Sequence, residues 1–255
     1  MSDFSGKIVL VTGATSGIGR GASVAFAEAG ATVLVAGRRQ VEGYQTLSLV
    51  EAAGGGGAFF PLDVAAEDQV AGVVERILSD YGRLDFAVNC AGINPTAPFW
   101  EYTEADYRKI FDTNVKGTFL CLKHEILAMR STGGVIVNVG SIAGQRALRL
   151  HALYNASKSA ASMLTRTAAL EAAEFGIRVN ELSPGSIDTP MLRSLWERET
   201  GDSPVGAQAI ISATPLKRFG TPSEAASAIL YLCSPGAGFV TGASLTMDGG
   251  LSLAI

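Results

Sequence analysis

Ile8-Val9-Leu10-Val11-Thr12 leads directly into Gly13-Ala14-Thr15-Ser16-Gly17-Ile18-Gly19, and an Ala-rich segment, residues 18–29, follows. A short β-branched run, a glycine turn and a helical stretch in this order mark the opening unit of a dinucleotide-binding sheet. Glycine lets the backbone turn tightly and come close to a pyrophosphate, which a Cβ would obstruct. The start of the helix then offers unpaired N–H groups and a positive dipole end to the phosphates. Gly13, Thr15, Ser16, Gly17, Ile18 and Gly19 are therefore candidate cofactor contacts.

The same alternation continues outward from this unit. Strand-like runs fall at residues 8–12, 32–36, 58–62, 84–89, 134–139, 178–182 and 244–247; helix-like segments fall at 18–29, 41–53, 67–81, 104–129, 152–175 and 223–233. Most of the strand candidates are continuously apolar, as strands covered on both faces must be. Strand–helix alternation predicts an α/β fold with a parallel sheet and right-handed crossovers. No proline-rich or low-complexity linker divides residues 1–255, so a single domain is expected. Residues 190–215 break the alternation and are expected to form a lid over a substrate.

Composition narrows the classes of function. The 255 residues are 47% hydrophobic and 17% charged, enough for a sizeable core, and the net charge is −4 without a basic run. Nucleic acid is therefore not an expected partner. No apolar run is long enough to span a membrane. The polar start, residues 1–6, lacks a basic region followed by a cleavage site, and three sparsely placed cysteines suit a reducing compartment. A cytoplasmic location is expected. Two histidines and no C-x-x-C pair leave no metal site to expect.

Tyr154 and Lys158 are four residues apart, one turn on one face of a helix, with Ser141 upstream. A neighbouring ammonium favours the phenolate, so a phenol placed there can exchange a proton with an alcohol or a ketone near neutral pH. At the end of the second strand, where an NAD site usually has an acid for the ribose 2′-hydroxyl, the chain reads Ala36-Gly37-Arg38-Arg39. An arginine pairs with a 2′-phosphate, so NADP(H) is favoured over NAD(H), with Arg38 the main contact and Arg39 assisting. Asp63 follows the third strand with Val64 beside it; Asp63 reads equally as an acceptor for the adenine amino group or as a turn aspartate.

The ordered set Thr12-Gly13-x-x-x-Gly17-x-Gly19, Asn89-Cys90-Ala91-Gly92, Asn114, Ser141, Tyr154-x-x-x-Lys158 and Pro184-Gly185 resembles the short-chain dehydrogenase/reductase family over essentially the whole chain. The resemblance implies a Rossmann-type doubly wound sheet of seven parallel strands, with the cofactor at the strands' carboxyl ends. It also implies roles. Tyr154 would be the acid/base and Lys158 would support it and hold the nicotinamide ribose. Ser141 would orient the substrate oxygen, and Asn114 would support a water-linked proton path. Asn89, Ala91 and Gly92 would line the adenine-side ribose and the central channel. Pro184, Gly185, Ile187 and Thr189 would shape the nicotinamide pocket. Cys90 departs from a frequent asparagine, and Ser16 from a basic residue common in NADP-binding members. A homotetramer is implied as well.

The substrate is less legible. Residues 93–100, 142–153 and 189–214 should surround the open end. Arg146, Arg149 and His151 suit either an anionic substrate or a solvent-facing loop. Met191, Leu192, Leu195 and Trp196 suit either an apolar lid or a docked helix. The reading is a carbonyl reductase or secondary-alcohol dehydrogenase acting on a small molecule. The alternatives are a reductase of 3-oxoacyl thioesters, using a basic surface that Lys123, Arg130 and Arg166 could form, and a non-catalytic dinucleotide sensor.

Overall fold

The structure is a computed structural model; it describes residues 3–200 and 204–254, and the side chains at 196–200 and 204–205 lie outside the description. Seven strands form one sheet in the order β3-β2-β1-β4-β5-β6-β7, every neighbouring pair parallel. The strands are β1 (Ile8–Thr12), β2 (Thr32–Gly37), β3 (Gly56–Pro61), β4 (Phe86–Asn89), β5 (Gly134–Val139), β6 (Ile177–Pro184) and β7 (Ser244–Met247). The order reverses between β1 and β4, and a crevice opens beyond the carboxyl ends where such a reversal falls. β1 is buried along its whole length, which accounts for its unbroken apolar run.

Two apolar layers cover the sheet. On one face α1 (Gly17–Glu28), α2 (Gln40–Ala52) and α9 (Pro222–Cys233) bury Ala22, Phe26, Val50, Ile229 and Leu232 against Val9, Val11, Val33 and Val35. Phe4 and Phe86 close one end of this layer edge-to-face, ring centroids 5.3 Å apart. On the other face α3 (Glu67–Tyr81), α5 (Gly117–Met129) and α6 (Ala152–Ala172) bury Val74, Ile77, Leu120, Met129, Ala168 and Ala172 against Leu10, Leu34 and Ile136. Alternate residues of each strand thus serve opposite cores, as the period-2 geometry requires.

Local chemistry sets the ends. Thr103 opens α4 (Glu104–Phe111), and Thr221 opens α9; each forms a reciprocal capping box, with Asp106 and Glu224 respectively. α3 stops at Gly82, φ +75°, in the left-handed region that favours glycine.

One expectation is corrected. The helix expected over 104–129 is broken: a five-residue π turn, Asp112–Lys116, separates α4 from α5. Asp, Thr, Asn and Val in succession are poor helix formers, and this turn places Asn114. Residues 190–215 carry helical structure, α7 (Pro190–Thr200) and α8 (Pro204–Ala213), before α9; α10 (Leu251–Ala254) follows β7. Trp196 lies outside the described side chains.

Candidate active site

β1 ends at Thr12, and the chain turns through Gly13 and Gly17, φ +64° and +54°. A Cβ on Gly13 would stand 2.6 Å from the Ala91 nitrogen, and one on Gly19 would stand 2.6 Å from the Gly13 oxygen. The β1 and β4 turns are therefore in direct backbone contact. Ser16 precedes α1 in an extended conformation and makes no side-chain cap bond, so no side chain takes the first N–H groups of α1. That bare helix start beside glycines with no room for a side chain fits a dinucleotide pyrophosphate. Thr15 is buried. Arg20 braces the turn from behind, donating to the Thr15 carbonyl at 2.8 Å and to the Thr46 hydroxyl at 2.9 Å.

The two arginines beyond β2 are held differently. Arg39, not Arg38, reaches back to the turn: it donates to Thr15 Oγ1 at 2.8 Å and to Ser16 Oγ at 2.7 Å. Arg38 and Arg39 both lie beyond the end of β2 and are both exposed. Ser16 thus stands with an arginine over it, even though it is not basic itself. Asp63 turns one carboxylate oxygen onto the Ala65 N–H at 3.1 Å, and Val64 is buried against Gly117.

Asn89 turns its side chain inward. Its side chain points into the core, accepting from Thr12 Oγ1 at 3.2 Å and donating to Glu125 Oε2 at 2.9 Å and Asn138 Oδ1 at 3.0 Å. Only its backbone remains for a cofactor. Asn138 passes the chain on to Thr165 at 2.9 Å, tying β4, β5, α5 and α6 together. Ala91 and Gly92 continue beyond β4, and a Cβ on Gly92 would meet both Asn114 Oδ1 (3.4 Å) and Lys158 Nζ (3.7 Å).

The proposed proton-handling residues converge at the same end. Tyr154 and Lys158 are buried on α6, with the ammonium 5.7 Å from the phenol ring centroid. Lys158 Nζ donates to the Val139 carbonyl at the end of β5 at 2.8 Å, leaving further N–H donors. Ser141, two residues on from Val139, accepts from the Ala143 N–H at 3.1 Å; its hydroxyl proton has no acceptor among the described residues. Asn114 is buried in the π turn and exchanges bonds with Ile93, giving to its carbonyl and taking from its N–H, both at 2.9 Å. Asn114 also donates to Ser157 Oγ at 3.0 Å, and Ser157 donates to the Tyr154 carbonyl at 2.8 Å. Ser157 was not singled out by the sequence, although it stands inside the Tyr154-x-x-x-Lys158 spacing. It links the π turn to the catalytic helix.

The floor is built from β6. Pro184 ends the strand, and a Cβ on Gly185 would lie 2.6 Å from Asp248 Cβ. Ile187 is buried and bridges Gly220. Thr189 faces the glycine turn, 3.1 Å from a Cβ placed on Gly17, and its hydroxyl accepts from the Leu192 N–H at 3.3 Å. The first and last expected cofactor segments are thus neighbours in space. Among the described residues no cluster has a metal-ligand arrangement, and no helix is long and apolar enough to cross a membrane.

Comparison with known proteins agrees with this geometry. The family model described as "Enoyl-(Acyl carrier protein) reductase" matches residues 13–252. A 2,5-dichloro-2,5-cyclohexadiene-1,4-diol dehydrogenase of Sphingobium indicum is 42% identical over 255 residues, covering 99% of each chain. Levodione reductase superposes with a TM-score of 0.96 at 32% identity, covering 99% of this chain and 100% of that one. A 7α-hydroxysteroid dehydrogenase in complex with NADH and 7-oxo glycochenodeoxycholic acid gives 0.91 at 33% identity, covering 97% and 95%. The chain belongs to the short-chain dehydrogenase/reductase family. It is an oxidoreductase of the nicotinamide-dinucleotide type.

Proposed function

We propose that this protein is an NADP(H)-dependent dehydrogenase that interconverts a secondary alcohol on a small carbocycle and the corresponding ketone. The observation that carries the reading is the buried Tyr154–Lys158 pair, set beside Ser141 and joined through Ser157 to Asn114. When bound, the nicotinamide supplies hydride chemistry. The chain's residues do the rest. Ser141 donates its free hydroxyl proton to the substrate oxygen and orients it. Tyr154 gives or takes the proton at that oxygen. Lys158 stands within electrostatic reach of the phenol, and Asn114, held by Ile93, keeps the lysine side of the site open for water. Acid–base help of this kind is worth roughly 10²- to 10⁴-fold in rate.

NADP(H) is favoured because no acid closes the β2 end and Arg39 spans Thr15 and Ser16, where it would meet a 2′-phosphate. The carbocyclic substrate follows from the diol dehydrogenase relative. Lys123, Arg130 and Arg166 are all exposed, but Lys123 is paired with Glu67 at 2.6 Å and Arg130 stacks over Phe175 at 4.6 Å. Helices α7 and α8 cover the open end as a lid. Exposed Phe119, Leu127, Met163 and Leu170 on α5 and α6 suit a homotetramer, which light scattering would test.

The test is a panel of cyclic alcohols, small ketones and an acetoacetyl thioester, each followed with both nicotinamide cofactors. Turnover of cyclic alcohols, lost in Tyr154→Phe with NADPH binding retained, is the expected result. Preference for the thioester favours the acyl-reductase alternative. Tight cofactor binding with no turnover on the whole panel favours a sensor, and full activity in Tyr154→Phe overturns the mechanism.

A further inference from the structure

The segment just before α6 is held more firmly than a surface loop with two arginines requires. Three successive carbonyls are engaged. Leu148 accepts from the His151 N–H at 3.3 Å and from Asn155 Nδ2 at 3.0 Å. Arg149 is bonded to His151 Nδ1 at 2.6 Å. Leu150 accepts from the Ala97 N–H at 3.1 Å and from the Tyr102 hydroxyl at 2.8 Å. Leu150 itself stands at φ +65°, a left-handed conformation that a leucine adopts only where its surroundings over-determine it. The product of these constraints is a fixed position for His151.

That position has a chemical consequence. A carbonyl oxygen cannot donate, so Nδ1 must carry the proton in the bond to Arg149. In the neutral ring Nε2 is then a bare acceptor. His151 occupies the cap position of α6 but makes no side-chain cap bond, so helix capping does not explain the imidazole. Its ring leans edge-on against Tyr154, centroids 6.2 Å apart and planes at 63°. Nε2 makes no hydrogen bond to the described residues. Nearby Arg146 is already engaged with the Ser252 carbonyl, and Arg149 is exposed.

We infer that His151 is a specificity residue whose Nε2 accepts a hydrogen bond from a second hydroxyl of the substrate, set across a small ring from the oxygen that meets Tyr154. The substrate class is then a cyclic diol, or the hydroxyketone it becomes. This inference rests on the dehydrogenase reading above.

The experiment measures kcat/KM of the full chain for cyclohexane-1,4-diol and for cyclohexanol, in the wild type, His151→Phe and His151→Gln. The Phe variant keeps a ring against Tyr154 and removes the acceptor. The diol-to-monoalcohol ratio should fall roughly tenfold, the weight of one hydrogen bond. The Gln variant, whose amide oxygen accepts, should recover part of that ratio. A general disturbance of Tyr154 would lower both rates together and leave the ratio in place. An unchanged ratio, with the monoalcohol still turned over, overturns the role of His151 alone. No turnover of either alcohol by the wild type overturns the dehydrogenase reading, and this inference with it.

Discussion

Glu125 lies wholly out of water on α5. One carboxylate oxygen accepts from Asn89 at 2.9 Å and the other has no partner. Burial pushes its pKa up from the ordinary 4.5 to about 7, against the opposing effect of the Asn89 bond. Between those values the native chain keeps the proton and the unfolded chain loses it. The folded state therefore binds more protons, and its stability must fall as pH rises through this window, then level off above it. With one pKa unit worth about 1.4 kcal/mol, the whole loss comes to about 3 kcal/mol. Glu125→Gln removes the charge and keeps an oxygen to accept from Asn89. Its amide adds a pH-independent offset, so the informative quantity is the pH dependence of the difference. Urea unfolding from pH 4.5 to 8.5 should show the variant gaining about 3 kcal/mol on the wild type across that range, at roughly 1.4 kcal/mol per pH unit near pH 6. A difference that stays constant with pH would refute the argument, because it would mean that Glu125 has the same proton affinity folded and unfolded.

Arg39→Ala should weaken NADPH relative to NADH by roughly 10- to 100-fold in kcat/KM, the weight of a charge-assisted hydrogen bond, while Arg38→Ala should do much less; equal effects would return the contact to both arginines. Gly13→Ala should cost well over the ~1–2 kcal/mol of a left-handed alanine, because the new methyl meets the Ala91 backbone at 2.6 Å. Gly54→Ala, also at positive φ but with nothing within 4 Å, should cost only that conformational increment, and thermal melts of the pair would separate strain from collision.

Legibility followed burial. Strands covered on both faces announce themselves as apolar runs, and β1 and β5 have the bounds the sequence predicts; the edge strand β7, which buries no residue, also keeps its predicted bounds. β3 starts earlier, at Gly56, because ladder pairing with Thr32 extends a strand that composition would end. The π turn escaped because periodicity on either side of it is helical, and only the run of weak helix formers at Asp112–Val115 hints at a break. Tyr154 and Lys158, with Ser141 upstream, stand out in the sequence by their spacing, whereas Asn114 is named only through the family resemblance. Which arginine reaches back to Thr15 and Ser16 was not legible, since it depends on which way one residue beyond a strand end faces. Ser157 and Glu125 sit on helices where a polar residue normally means solvent, and only tertiary packing turns them inward.

The π turn at Asp112–Lys116 also has a consequence for phase. One extra residue in a helix rotates everything beyond it by about 100°. α4 and α5 therefore do not share a buried stripe: α4 buries Ile110, whereas α5 sends Leu120, Cys121, Glu125 and Met129 inward. The turn acts as a joint with a fixed offset: both segments pack on α6, and α5 packs on α3 and the sheet as well. Removing a single residue there would straighten the coil and swing one segment out of register with its core, whichever residue was removed. The spacing of this segment is thus under tighter constraint than most of its side chains.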